Sequence, residues 1–289
     1  MRILYFAACL FAIAGCNRAR GQKECTDDSL LALPTDVELY LGSTLSGKGK
    51  LEVGRIATCS DLAELEPKFS SLKSALTRAP KRLLPAKVQI HHQIATGTNV
   101  APILGLEVHQ DTNSILTATR GSFGEEVWLH EVAHLLVPHT AITQDRTTAR
   151  LHAAIIEAFG DYYAAALTGT PVDRSKSTPH KPTASTQGLH ASHWAALALA
   201  PTFEPHQYAA PLSRQLLETK ASSTALLEDL RTALTTLSEG ESIESPRALV
   251  SALVRVCPAR SRSSLDASLR AWLPAALLQA PSRLAKEKL

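Results

Sequence analysis

The sequence predicts an α+β protein: a small antiparallel or mixed sheet packed on one metal-binding helix, followed by a mainly helical C-terminal lobe. Three observations predict it. Segments of strand character fall before residue 120, and segments with apolar residues three and four apart dominate after it. Between them Arg120 to Val137, RGSFGEEVWLHEVAHLLV, reads as a helix carrying His130, Glu131 and His134. Strands first and helices afterwards is the pattern of an α+β chain rather than of an alternating α/β one.

Residues 1–16, MRILYFAACLFAIAGC, carry one basic residue and then an apolar run too short to span a bilayer. The ending Ile13-Ala14-Gly15-Cys16 resembles the lipobox of bacterial lipoproteins. Residues 1–15 are therefore read as a lipoprotein signal peptide and Cys16 as the lipidation site. That expectation places the protein in the bacterial cell envelope, outside the cytoplasm and anchored by lipid. Asn17, in place of an acidic residue, points to the outer membrane. The chain has 30 Lys and Arg against 27 Asp and Glu with 45% hydrophobic residues. This near-neutral balance recruits no nucleic acid and suits an ordinary globular body, expected as a monomer. Of five cysteines, Cys9 leaves with the signal and Cys16 takes lipid. Cys25, Cys59 and Cys257 remain, with Cys25–Cys59 the first choice of disulfide and Cys59–Cys257 the second.

Residues 16–36 are polar and read as a tether; residues 37–170 form the lobe with strands and metal helices. Val37 to Leu41 and Leu51 to Ala57 flank a turn-rich Gly42–Gly47 stretch and suggest a hairpin. Asp61 to Thr77 has Leu62, Leu65, Phe69, Leu72 and Leu76 at helical spacing, with Pro67 as a candidate kink. Lys87 to Ile94, Ile103 to His109 and Ser114 to Thr119 read as strands. Alternation sends His91 and His92 to opposite faces, where they are expected as surface or edge residues.

The helix with the two histidines opens on a Ser122/Glu125 capping box and stops before Pro138. Residues four apart share a helix face, so His130 and His134 can point both imidazoles at one tetrahedral metal, with Glu131 beside the ion as a base. A second helix runs from about Thr147 to Leu167 and ends at Gly169. Glu157 and Asp161 sit one turn apart on it among bulky apolar residues, and buried carboxylates need a cation or a partner. At a helix crossing Glu157 would be the third ligand, and Asp161 would accept the remaining ring N–H of a ligating histidine. Residues 171–193, rich in Pro, Ser, Thr and Lys, read as a surface loop. Residues 194–289 carry helical spacing at Trp194 to Ala200, Pro211 to Lys220, Ser222 to Leu237, Pro246 to Val256 and Ser264 to Leu278, the second lobe, with the metal cleft expected between the two.

H-E-x-x-H, an interval of 22 residues and E-x-x-x-D together resemble the gluzincin metallopeptidases, the thermolysin-like proteins and their relatives, over roughly residues 87–220. The resemblance implies Zn2+ held by His130, His134 and Glu157, with Glu131 as general base and Asp161 as the partner of His130. It also implies an oxyanion-stabilising role for His206, in the segment His206-Gln-Tyr-Ala-Ala-Pro-Leu-Ser-Arg214, where Tyr208 and Ala210 replace the family's usual Asn and Gly. The metzincin pattern is excluded, because Thr140 stands where its third histidine would be. His139 is similar to a feature of membrane-linked peptidases related to the prenyl-protein proteases, which carry spanning helices. The implied activity is zinc-dependent cleavage of a peptide or protein substrate. The alternative is a catalytically silent zincin-like lipoprotein acting as a scaffold or binding protein, although a purely structural metal site has no need of Glu131.

Overall fold

A computed structural model describes residues 36–47, 49–92, 95–96, 106–117, 123–138, 142–169, 194, 197, 203–219, 223–240 and 242–279. The expected signal peptide, Cys16, nearly all of the tether, Cys25, Ser122, His139 and the 171–193 loop lie outside the described residues. The fold is α+β. The chain divides into two compact units, Met1–Gly124 and Glu125–Leu289. The sequence grouped the metal helices with the strands, over 37–170. In the structure the division falls at the start of the first metal helix, because that helix and the next pack chiefly on each other and on a later helix.

The first unit contains strands β1 (Asp36–Leu41), β2 (Thr44–Leu45), β3 (Leu51–Glu52) and β4 (Arg55–Ile56), helix α1 (Cys59–Arg78), and strands β5 (Lys87–His92), β6 (Ala95–Thr96), β7 (Leu106–His109) and β8 (Ser114–Thr117). Its main sheet has the order β4-β1-β5-β8-β7, with β1, β5 and β8 parallel and both edge strands antiparallel; a second sheet is β3-β2-β6. The expected hairpin is thus split. Leu51–Glu52 pairs with β2, whereas Arg55–Ile56 returns to pair with the end of β1. Gly54 makes the crossing possible: a Cβ there would lie 2.0 Å from the Leu41 carbonyl oxygen. Its amide donates to Ser43 Oγ at 2.9 Å.

Helix α1 starts at a capping box in which Thr58 and Asp61 satisfy each other's backbone N–H. It runs unbroken through Pro67 and buries Leu62, Leu65, Phe69, Leu72 and Leu76. Cys59 is disulfide-bonded and Cys257 is a buried free thiol, so the Cys59–Cys257 pairing is excluded. His91 and His92 are not surface residues. They lie on β5, between β1 and β8, at 1% and 5% exposure. They do face opposite ways: His91 stacks on Tyr40 and meets Ser43 Oγ at 2.8 Å, while His92 meets Phe69 of α1 edge-on. Burial pushes the His91 imidazole down to about 4, with His109 adding to the shift.

The second unit is helical: α2 (Glu125–His134), α3 (Arg146–Thr168), α4 (Pro205–Leu217), α5 (Ser223–Ser238), α6 (Pro246–Val256), α7 (Ala259–Trp272) and α8 (Ala275–Gln279). Helix α3 is its axis. Asp145 caps it by accepting from Thr148 N at 2.8 Å, and Gly169 closes it with φ 75°. It contacts α2, α4, α5 and α6, and is buried on most of its surface rather than along one stripe. Helix α4 starts at Pro205, six residues before the expected Pro211. Both prolines suit a first turn, and the second is carried inside the helix. The last predicted helix is broken at Leu273-Pro274 into α7 and α8. Arg260 and Ser261 of α7 grip the buried Asp229 of α5, with contacts of 2.6 to 2.8 Å. Among the described residues no helix is long and apolar enough to cross a membrane.

Candidate metal centre

Helix α2 presents His130 and His134 on one face because they are one turn apart, and α3 crosses behind that face. Both histidines are buried, at 2% and 4% exposure, and Glu131 between them is half-buried. His130 Nε2 and His134 Nε2 lie 2.9 Å apart. Glu157 Oε2 of α3 is 3.1 Å from the first and 3.4 Å from the second. Three donor atoms so spaced surround a point about 2 Å from each, the distance at which zinc takes His nitrogen and carboxylate oxygen.

On the opposite side of the ring, His130 Nδ1 is 3.0 Å from Asp161 Oδ1. Donation from Nδ1 to this carboxylate fixes the tautomer and leaves a lone pair on Nε2, aimed at the cluster. Two imidazole nitrogens facing one another at 2.9 Å beside a carboxylate repel unless a proton or a cation lies between them. Burial would raise the Glu157 carboxyl, but the imidazoles around it, His134 first and then His130 and His206, outweigh burial and hold the group well below its usual range. Burial holds His134 below its ordinary value, against the pull of Glu157, which favours the neutral imidazole that a metal takes as a ligand. The donor set therefore fits a divalent metal, and His130, His134 and Glu157 also form a possible metal-holding group by proximity alone, with ligand atoms within 4.8 Å of one another.

His206 is brought to the same place. It lies in the first turn of α4, with Nδ1 2.8 Å from Glu157 Oε2 and its ring 5.9 Å from that of His130. The contact is close but poorly aligned, since Nδ1 makes no hydrogen bond of good angle. Helix α4 is held at this end by aromatic packing. Tyr208 lies against Trp194 and Phe203, Trp272 Nε1 donates to the Tyr208 carbonyl at 2.9 Å, and the buried Arg150 guanidinium covers the Phe203 ring.

Gly160 escaped the sequence reading. A Cβ at this position would come within 2.6 Å of His130 Nδ1 and 2.7 Å of its Cε1, so the bare backbone of α3 is what lets the ring reach Asp161 and Glu157 at once. The signal was there: a glycine inside a strong helix costs about 1 kcal/mol against alanine and calls for a packing reason.

Asp161→Ala is expected to leave the helices in place and to weaken metal affinity by about 10–100-fold, because the His130 ring loses its orienting acceptor. A zinc-competition titration on the folded variant checks this, and wild-type affinity would remove Asp161 from the site. No protein-family model matches the chain, and no curated protein matches its sequence.

Proposed function

We propose that this protein is a zinc-dependent endopeptidase of gluzincin type, working outside the cytoplasm on a peptide or protein substrate. The observation that carries the reading is the convergence of His130 Nε2, His134 Nε2 and Glu157 Oε2 in a buried helix crossing, with Glu131 next to a ligand and not one of the three. Two nitrogens and one carboxylate oxygen are the donor set of catalytic zinc, which leaves a position open for substrate chemistry. Zinc held there would supply Lewis acidity, polarising a carbonyl and acidifying water.

The chain's own residues do the remainder. Glu131, one residue beyond His130 on α2, takes the proton of the attacking water and returns it to the leaving amine nitrogen. Asp161 keeps the His130 ring turned so that its Nε2 faces the cluster. Glu157, part-exposed, bears the negative charge that offsets the cation, and burial of His130 and His134 limits the access of competing water. His206, part-exposed at the edge of the cluster, donates an N–H to the oxyanion. A well-placed donor of this kind contributes on the order of 3 kcal/mol. The lipid anchor at Cys16 belongs to the same reading, and the disulfide at Cys59 agrees with an oxidising compartment.

Metal analysis of the purified full-length protein is the test. About one zinc per chain is expected, with His134→Ala and Glu157→Ala each losing it, since a three-ligand site has no spare donor. A protein that takes up no zinc after loading, or a double variant that binds it fully, overturns the reading.

A further inference from the structure

Helix α3 meets the chain around the start of α4 at two points. Glu157 meets His206, Oε2 to Nδ1, at 2.8 Å. Arg150, seven residues earlier, lies on the same side of α3, about 10 Å back along the axis. Its guanidinium stands over the Phe203 ring, 5.3 Å from the centroid, and Nη1 donates to the Leu197 carbonyl at 2.9 Å. Phe203 and His206 are three residues apart, either side of the Glu204 cap and Pro205 that begin α4. One face of α3 thus grips the same short stretch of chain before and after that beginning.

The Glu157 contact is not the anchor. His206 Nδ1 makes no well-aligned hydrogen bond there, and Glu157 Oε2 is shared with both His130 and His134. The Arg150 contact is built as one. Arg150 is at 9% exposure, and a cation so deep is costly unless partners hold it. These two partners belong to the chain leading into α4 rather than to α3 itself. A charge-assisted hydrogen bond and a desolvated cation–π contact are each among the stronger polar contacts a side chain makes.

From Phe203 the packing passes on to the turn that carries the imidazole. The Phe203 ring lies 5.4 Å from that of Tyr208, which meets Trp194 at 5.6 Å, and Trp194 meets Trp272 at 5.5 Å. Trp272 Nε1 closes the set by donating to the Tyr208 carbonyl. The rings hold the first turn of α4 from the side, and Arg150 sets where that turn stands along α3. His206, with a third of its side chain exposed, takes its place from the backbone so held.

We propose that Arg150 is the positioning residue for His206: by holding Leu197 and Phe203 against α3 it sets the imidazole at the edge of the metal cluster. What this means for turnover rests on the peptidase reading above, whereas the placement of the ring does not.

The test has two arms, both on full-length protein. Without metal, the rings of His206 and His130, whose centroids are 5.9 Å apart, are expected to show a nuclear Overhauser contact in the wild type. Arg150→Met and Phe203→Leu are each expected to lose it while keeping the wild-type circular dichroism. Phe203 is only half-buried, so its variant decides the matter if Arg150→Met does not fold. With zinc, kcat for peptide cleavage is expected to fall by about 10–100-fold in either variant with KM unchanged, the cost of a donor roughly 1 Å out of place. Made in a His206→Ala protein, the same substitution is expected to lower kcat no further. A ring contact absent from the wild type, or kept in both variants, overturns the proposal. So does an unchanged kcat, or a fall as large in the His206→Ala protein, which would mean that Arg150 acts on the fold and not through His206. A wild type that binds zinc and cleaves no peptide counts against the peptidase reading alone, and the ring contact then decides whether Arg150 places His206.

Discussion

Glu131→Gln is expected to keep zinc and to lose peptide hydrolysis by about 10²–10⁴-fold, the range that a positioned general base supplies. The two halves of this expectation come from different facts. Zinc stays because the ligand atoms are those of His130, His134 and Glu157, and Glu131 is not among them. Turnover goes because the amide of glutamine is nearly the shape of the carboxylate but accepts no proton at neutral pH, so the attacking water keeps both of its own. Metal content and cleavage of a generic peptide, measured on the same folded preparation, separate the peptidase from the scaffold. If wild type and Glu131→Gln bind zinc equally and neither cleaves any peptide offered, the silent-lipoprotein alternative takes over. If the variant cleaves at the wild-type rate, the base lies elsewhere.

Gly160→Ala is expected to lower zinc affinity by about 10–100-fold, as much as removing the orienting carboxylate itself. At an ordinary interior helix position this substitution would stabilise the protein by about 1 kcal/mol. Here the new methyl group would meet His130 Nδ1 at 2.6 Å. The ring has nowhere to go, because Asp161 holds one nitrogen at 3.0 Å and Glu157 faces the other at 3.1 Å. Either the imidazole swings out of the cluster or α3 backs away, and Glu157 and Asp161 back away with it. Overpacking of this kind costs about 1–3 kcal/mol, small enough for the helices to persist. Far-UV circular dichroism should therefore match the wild type while zinc competition does not. A variant with raised thermal stability and unchanged zinc affinity would refute the close approach of α3 to the ring.

The parts of this arrangement that were legible in the sequence are those set by local spacing. His130 and His134 share a face because they are four residues apart, and the same rule put Glu157 and Asp161 on one side of a helix that Gly169 closes. The structure brings these two faces together, which the spacing within each helix could not fix by itself. What could not be read depends on partners distant in the chain. Nothing local to Lys87–His92 says that this strand lies between β1 and β8, so His91 and His92 were expected at an edge although Tyr40, Ser43 and Thr117 enclose them. The pairing of Leu51–Glu52 and Arg55–Ile56 with different partners turns on Gly54, whose need for a bare backbone is visible only once Leu41 is beside it. His206 was placed before a helix rather than in its first turn because Pro205 and Pro211 are equally good helix starts by sequence.

The parallel pairing of β1 with β5 also bears on the order of events as the chain folds. Asp36 pairs with Lys87 and Leu41 with His92, so the whole of α1 must be looped out before the first of these bonds can form, and loop closure is a cost met in advance of its reward. The histidines and carboxylates of the other unit lie on α2 and α3, neighbours in the chain joined by residues 135–145. Contacts of low sequence separation form early and fast. Although it is synthesised later, the helical unit is thus the part expected to reach its native contacts quickly, and the sheet the part that sets the pace of maturation.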